Sequence, residues 1–312
     1  MGLVEKGLRT LKDDGIRTFG RKSIQLGITK RYDLTSTNVY SRDWDILLIL
    51  DGCRVDVMEA VADEYSFLGD EVESITSTGG GSPQWMANTF TSRYADAINE
   101  TVYVTANPHT RRVLGPNTEG LFGDVGDGVD RLEWFDSMVP VWELAWDEDA
   151  GTVPARPVTD HLLHAYHNTD ADRYIAHYMQ PHFPSVPDPV GASLNLADEA
   201  RWENNVWDRL ASGELSFERV WESYANNLRY VLDEVSLVLE NVDSKSVVLT
   251  ADHGNAFGES GEYGHGQGFL REVREVPWVR TSGTGEGSYE PDVDHDSASA
   301  SLDEQLEALG YR

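Results

Sequence analysis

Two aspartates and a histidine follow apolar runs of the sequence and have the chemistry of metal ligands. Asp51 ends the run DILLILD (45–51), and Asp252 ends the run SVVLTAD (246–252) with His253 directly after it. Two carboxylates and an imidazole form a mixed oxygen and nitrogen ligand set, which suits Zn²⁺ or Mn²⁺ better than Ca²⁺ or Mg²⁺. The alternative is that both aspartates only cap the turns or helices that follow. The sequence therefore predicts a divalent-metal site if the fold brings these residues together.

The elements that must position these residues alternate between strands and helices. Apolar runs predict strands over 45–51, 102–107, 173–179, 246–252 and 276–280, and helical spacing of apolar residues predicts helices over 55–65 and 217–238. This alternation predicts an α/β fold of three layers, α/β/α, with a mostly parallel central sheet. Ligands of such sheets bind beyond the carboxyl ends of the strands. Asp51, Asn107, Asp252 and His253 should therefore lie along one edge of the sheet.

Several motifs, taken in order, resemble the sulfatase-like branch of the alkaline phosphatase superfamily. They are LLILDGCRVD (47–56), PHFP (181–184), LTADHGNAFGESGEYGHG (249–266) with EVPWVR (275–280) after it, and the terminal LEALGY (306–311). The resemblance is thin between residues 95 and 170. It implies a metal-dependent esterase with an alkaline-phosphatase-like fold, in which a hydroxyl or a modified cysteine attacks a phosphorus or sulfur centre and forms a covalent intermediate.

The resemblance also implies roles for individual residues. Asp51, Asp252 and His253 match metal-ligand positions. His182 and His265 match histidines that surround the transferred group or a second metal.

The residues after Asp51 allow two interpretations of Arg54. They also argue against a formylglycine nucleophile. Arg54 could clamp a phosphoryl oxygen, although an ion pair with Asp56 or another local carboxylate is an equal alternative. True sulfatases carry a formylglycine made from the cysteine of a Cys, any, Pro, Ser, Arg sequence, which this chain lacks. Cys53 is therefore predicted to be a small buried residue beside the ligand strand.

A serine or threonine is left as the nucleophile, and the stretch TSTGGGSPQWMANTF (76–90) is where the resemblance places it. Ser82 precedes Pro83 at a predicted helix start, where backbone amides would face a bound anion. The metal would stabilise the Ser82 alkoxide. The alternative is that Ser82 only caps this helix. Thr78 is the second candidate for the nucleophile.

The excess of acidic residues limits the classes of partner that the protein can bind. There are 54 acidic and 25 basic residues among 312, which excludes nucleic acid for the body of the protein and resembles proteins of a salt-rich cytoplasm. No stretch is long and apolar enough for a membrane span or a secretory signal, so a cytoplasmic protein is expected.

The first 32 residues run against this trend, because they hold eight Lys and Arg. They predict a basic amphipathic arm over 1–32, before a single α/β domain over 33–312. The arm could lie on an anionic lipid surface, or it could pack on the acidic body of the protein.

These observations predict a metal-dependent hydrolase or transferase of phosphoric esters that acts through a seryl intermediate. Its expected substrate is an anionic ester, with glycan-linked and lipid-linked esters as candidates. One alternative is a sulfuric-ester hydrolase that lacks formylglycine. An alternative of another class is an inactive binding protein in surface-glycan assembly.

Overall fold

The computed structural model describes residue 25, residues 27–116, 129–190, 206–265 and 268–293, and residue 305. Within these residues, one sheet of seven strands and one small hairpin are formed. The sheet strands are β1 (Ile46–Leu50), β2 (Ser74–Thr76), β3 (Thr101–Thr105), β4 (Ser137–Pro140), β5 (Arg173–Tyr178), β6 (Val247–Thr250) and β9 (Glu275–Thr281). The hairpin strands are β7 (Ala256–Phe257) and β8 (Tyr263–Gly264).

The seven strands lie in the order β2-β9-β6-β1-β5-β3-β4. Strands β6, β1, β5, β3 and β4 run parallel, and β9 runs antiparallel to both of its neighbours. The predicted mostly parallel sheet is therefore confirmed, as is each of the five predicted strands. Strands β2 and β4 were not predicted, because they are short and only partly buried.

Helices flank this sheet. They are α1 (Val55–Val61), α2 (Ser82–Thr89), α3 (Ala95–Asn99), α4 (His109–Leu114), α5 (Val141–Leu144), α6 (Ala155–Asn168), α7 (Val206–Ala211), α8 (Phe217–Asn241) and α9 (Arg271–Arg274). The long predicted helix is confirmed as α8, which packs on α1 and α6. The helix predicted over 55–65 is shorter, because α1 ends at Val61 and a 3₁₀ turn follows.

Strand β1 lies near the middle of the sheet because its five residues are all apolar. Each of them is fully buried, as expected for a parallel strand that is covered on both faces. The register pairs Leu50 with Tyr178 of β5 and Ile49 with Thr250 of β6. Because the carboxyl ends of these strands are level, the segments that leave them start side by side.

The predicted arm is described only in part. Its residues 1–24 lie outside the described residues, and residues 27–35 are helical. The buried guanidinium of Arg274 lies 3.0 Å from Asp33 and stacks over the Tyr32 ring, 5.5 Å from its centroid. These contacts hold the end of this helical segment on the body of the protein. Among the described helices, none combines the length and the apolarity that a bilayer crossing requires.

Candidate metal centre and seryl site

The loops after β1 and β6 are joined through Gly52. Its amide donates to Asp252 Oδ1 (3.1 Å), and its carbonyl accepts from the Asn255 amide nitrogen (3.0 Å) and from the Tyr224 hydroxyl. Gly52 has φ +69°, and a Cβ at this position would lie 2.6 Å from Asn255 Nδ2. Glycine is therefore required here by the backbone conformation and by the close approach of the two loops.

Asp51, Asp252 and His253 come together at the carboxyl edge of the sheet, as the sequence predicts. All three are fully buried, and one potential ligand atom from each lies within 4.8 Å of the other two. His253 Nε2 is 3.4 Å from Asp51 Oδ1 and 3.6 Å from Asp252 Oδ2. Asn107, predicted at the same edge, donates from its amide nitrogen to Asp51 Oδ2 (2.7 Å).

The donor set fits a divalent cation. Within the described residues, Asp51 Oδ1 and Asp252 Oδ2 are buried and accept no hydrogen bond. Buried carboxylate oxygens require a cationic or hydrogen-bonding partner. His253 Nδ1 is 2.9 Å from the Gly254 carbonyl, so Nδ1 carries the hydrogen and Nε2 keeps the lone pair that a metal ligand needs. These three atoms could therefore hold one ion.

The electrostatics of Asp252 agree with this arrangement. Burial disfavours the charged carboxylate, but its polar neighbours, among them His177, outweigh burial and hold the pKa of Asp252 below its usual range. Asp252 is thus an anion at neutral pH, which is the form that binds a metal.

Ser82 lies beside the same three residues. It is fully buried, and its Oγ is 3.2 Å from Asp51 Oδ2 and 3.4 Å from His253 Nε2. The sequence left open whether Ser82 is a helix cap. Gly81 is the N-cap residue of α2, and Ser82 is the first residue of the helix. Ser82 is therefore not the cap residue, and its hydroxyl lies next to Asp51 and His253 at the start of α2.

The glycines before Ser82 allow close packing of the loop. A Cβ on Gly79 would lie 2.3 Å from the Trp85 nitrogen, and one on Gly81 would lie 3.2 Å from His265 Nδ1. The amide of Gly79 already donates to Ser77 Oγ (3.1 Å) and that of Gly80 to Gln84 Oε1 (2.9 Å), so these two amides have partners in the loop and in the first turn of α2.

Thr78, the second candidate for the nucleophile, makes contacts within its own segment. Its hydroxyl lies 2.9 Å from the Thr89 hydroxyl and 3.5 Å from the Trp85 carbonyl oxygen.

Three histidine rings surround the space next to Ser82. The ring of His265 lies 4.3 Å from that of His253 and 5.4 Å from that of His182, measured between centroids. His182 donates from Nδ1 to the Phe183 carbonyl, with a separation of 2.6 Å. Burial, followed by the nearby histidines, lowers the pKa of His265 well below its usual value, and burial is also the main cause that lowers the pKa of His182. Both rings are therefore neutral at pH 7.

His109 belongs to the same neighbourhood, at the start of α4. It is fully buried, and burial with the charge of Arg112 lowers its pKa to about 3.

Arg54 makes the predicted ion pair with Asp56 and also contacts residues that are distant in the sequence. Its guanidinium donates to both carboxylate oxygens of Asp56 (2.8 and 2.6 Å), to Glu259 (2.8 Å) and to the Asn255 carbonyl (2.8 Å). It also lies over the rings of Trp221 and Phe257, 5.4 and 5.3 Å from their centroids. Arg54 therefore ties the loop after β1 to the loop after β6.

Cys53 is buried in the interior, as predicted. Burial raises the pKa of the thiol well above its usual value. Such a thiol is uncharged at neutral pH and a poor nucleophile.

His177, on β5, belongs to the site and was not identified from the sequence. Its Nε2 lies 3.7 Å from Asp51 Oδ2 and 3.7 Å from Asp252 Oδ2. Burial lowers the pKa of His177, but Tyr103 and the two aspartates outweigh burial and hold this pKa well above its usual value. The available signal was a lone polar residue inside the apolar run RYIAHYM (173–179).

No protein-family model and no curated protein matches the chain. Solved structures do match it. The integral membrane protein lipooligosaccharide phosphoethanolamine transferase A from Neisseria meningitidis has a TM-score of 0.50 and 12% identity, and the match covers 90% of this chain and 58% of that one. The soluble domain of the same enzyme has a TM-score of 0.46 and 16% identity, with 75% of each chain covered.

The lipoteichoic acid synthase LtaP from Listeria monocytogenes has a TM-score of 0.42 and 12% identity, with 91% of this chain and 78% of that one covered. At these identities a likeness extends to the fold alone. The likeness to the integral membrane transferase agrees with the predicted α/β/α fold, and this chain spans 58% of the length of that enzyme.

Replacing Gly254 by alanine should distort the metal centre. The new Cβ would lie 2.1 Å from the Glu272 carbonyl oxygen, so the backbone beside His253 must move. We expect Gly254→Ala to lower the free energy of unfolding by about 1–3 kcal/mol and to reduce the metal content of the purified protein.

The matched control is Gly27→Ala, whose Cβ would meet no atom within 4 Å on an exposed helical segment. Alanine should be neutral or slightly stabilising there. Denaturant unfolding and elemental analysis measure both quantities, and a Gly254→Ala protein with wild-type stability and metal content would contradict the expected clash.

Proposed function

We propose that the protein is a metal-dependent hydrolase or transferase that acts on phosphoric esters through a covalent intermediate on Ser82. One observation carries this proposal: a buried serine hydroxyl lies 3.2 Å from Asp51 and 3.4 Å from His253, beside two carboxylate oxygens that lack hydrogen bonds within the described residues. A serine, two carboxylates and an imidazole at this spacing have the chemistry of an activated nucleophile.

Asp51, Asp252 and His253 would hold the ion, and Zn²⁺ or Mn²⁺ suits their ligand atoms better than Ca²⁺ or Mg²⁺. Such an ion, when bound, lowers the pKa of a nearby hydroxyl and neutralises negative charge that develops in the transition state.

The reaction takes two steps at Ser82. The Ser82 oxygen forms a bond to phosphorus while the bond from phosphorus to the alcohol oxygen breaks, and the alcohol leaves with a proton. Water in a hydrolase, or a second hydroxyl in a transferase, then forms a bond to phosphorus while the bond from phosphorus to the Ser82 oxygen breaks. The attacking hydroxyl gives its proton to the Ser82 oxygen, and the phosphate or the new phosphoric ester leaves. The phosphoethanolamine transferase of similar fold is named for the transfer of a phosphoryl-containing group, which supports a phosphoric ester as the substrate.

His182 and His265 would bind the transferred group or a second ion. Because His182 donates from Nδ1 to a carbonyl, its Nε2 carries a lone pair, which suits a cation better than an anionic oxygen. Arg54 as a clamp for a phosphoryl oxygen would require exchange of its present contacts with Asp56 and Glu259.

Ser82→Ala should abolish turnover while the metal content stays at the wild-type value. The substitution removes the nucleophile and leaves Asp51, Asp252 and His253 in place, so we expect a loss of about three orders of magnitude or more in kcat. Ser92→Ala, at an exposed serine, is the matched control and should be silent. A Ser82→Ala protein that retains near wild-type turnover would remove Ser82 from the mechanism.

The alternatives differ in the esters that the protein cleaves. We expect aryl phosphate or phosphodiester to be hydrolysed faster than aryl phosphonate or aryl sulfate under identical conditions. A preference for the sulfate would favour a sulfuric-ester hydrolase that uses an unmodified serine. Metal binding without cleavage of any ester would favour the inactive binding protein.

The predicted basic arm would bring this activity to a membrane surface. A cytoplasmic location of the protein stays a prediction. Contact with anionic lipid predicts that the full chain sediments with anionic vesicles at low salt and that a chain without residues 1–32 does not. Equal sedimentation of the two proteins would mean that the arm packs on the body of the protein.

A further inference from the structure

His177, on strand β5, lies beside Asp51 and Asp252 in the candidate metal centre. Strand β5 pairs it with Ile49 of β1 on one side and with Thr105 of β3 on the other, and the residue is fully buried. Its Nε2 is 3.7 Å from one oxygen of Asp51 and 3.7 Å from one oxygen of Asp252. These separations are within ion-pair range, though longer than a hydrogen bond. The ring is therefore placed symmetrically against both carboxylates by the middle of the sheet.

The other ring nitrogen of His177 determines which atom carries the hydrogen. Nδ1 lies 2.8 Å from the hydroxyl of Tyr103, which is fully buried on β3. A phenol can donate or accept. If it accepted from a neutral ring, Nε2 would direct a lone pair at two buried carboxylate oxygens, which is repulsive. Two arrangements are favourable: a neutral ring that accepts from the Tyr103 hydroxyl at Nδ1, or a protonated ring that donates from Nδ1 to this hydroxyl. In both, Nε2–H is directed at the carboxylates.

His177 and His253 therefore face the same two carboxylates with the same nitrogen, Nε2, but in opposite roles. His253 donates from Nδ1 to the Gly254 carbonyl and presents the lone pair of Nε2. His177 presents an Nε2–H bond, so this atom has no lone pair to offer a cation. The two aspartates therefore face a potential metal ligand, His253, and a hydrogen-bond donor, His177.

Neighbouring rings hold His177 in this orientation. The Trp85 ring packs edge-on against it at 5.6 Å between centroids, and the Tyr103 ring stacks beside it at 6.3 Å. Trp85 belongs to α2, the helix that begins with Ser82. The same packing therefore connects His177 to the element that carries the proposed nucleophile.

We propose that His177, oriented by Tyr103, is a positioning residue for the metal centre: its Nε2–H group orients Asp51 and Asp252 and offsets the repulsion between them, so that both can bind one ion. The inference rests on the proposed function, because it assumes that these aspartates bind a metal. Outer partners of metal ligands generally contribute about 10–100-fold to metal affinity.

The test is the Zn²⁺ affinity of variants, measured by competition with a chromophoric chelator at fixed pH. His177→Leu removes the donor and should weaken Zn²⁺ binding by about 10–100-fold. His177→Gln carries an amide N–H at about the place of Nε2 and should restore most of the affinity. Tyr103→Phe removes one oxygen, leaves His177 in place and should cause a smaller loss in the same direction. His164→Gln, at an exposed histidine of α6, is the control and should bind as the wild type does.

A second readout distinguishes positioning from ligation. In the Co²⁺ form, the d–d absorption bands of His177→Gln should keep the wild-type shape, because the ligands are unchanged. Bands that show a lost nitrogen ligand would overturn the proposal, as would wild-type Zn²⁺ affinity in His177→Leu or equal losses in His177→Leu and His177→Gln. If a His177 variant does not fold, Tyr103→Phe decides the matter, and wild-type affinity in that variant contradicts the proposal.

The two proposals fail in different ways. A wild-type protein that takes up no metal would refute the metal-dependent function itself. If the wild type binds Zn²⁺ and His177→Leu binds it equally tightly, only the role of His177 is refuted.

Discussion

Two carboxylates buried side by side repel each other. The groups around Asp51 and Asp252 offset part of this repulsion. Burying an ion costs several kcal/mol unless partners compensate it. One oxygen of Asp51 accepts from Asn107 and Ser82, and one oxygen of Asp252 accepts from the amides of Gly52 and His253. Within the described residues, the remaining oxygens accept no hydrogen bond. A divalent cation would supply the charge that this pair lacks, and the same cation would act on the adjacent hydroxyl of Ser82.

The fold brings these groups together through strand register rather than through local sequence. Because β1 pairs with β5 on one side and with β6 on the other, the chain leaves all three strands at one edge. The segments that follow then carry Asp51, His182 and Asp252. Contacts between distant loops hold them there, as in the bonds from Arg54 to Glu259 and to the Asn255 carbonyl. The rigidity of the site thus comes from the sheet and from loops that are fastened to each other.

The sequence predicts the parts of this site that depend on strand ends, and it misses those that depend on neighbours across the sheet. Continuous apolar runs identify β1 and β6, and a carboxylate at the end of each run indicates the metal ligands. His177 escapes this reasoning because its role depends on Tyr103, which lies on a different strand. The two readings of Arg54 could not be separated either, since Glu259 comes near it only in the folded chain. Strands β2 and β4 lack the buried apolar run that reveals the others.

If Asp51, Asp252 and His253 bind one ion beside Ser82, X-ray diffraction at the zinc absorption edge, from crystals grown with Zn²⁺, will locate it. We expect an anomalous peak at roughly 2.0–2.2 Å from Asp51 Oδ1, Asp252 Oδ2 and His253 Nε2, with the Ser82 hydroxyl next to it. A zinc ion held only by other residues, or electron density in which these three side chains point away from one another, would contradict it.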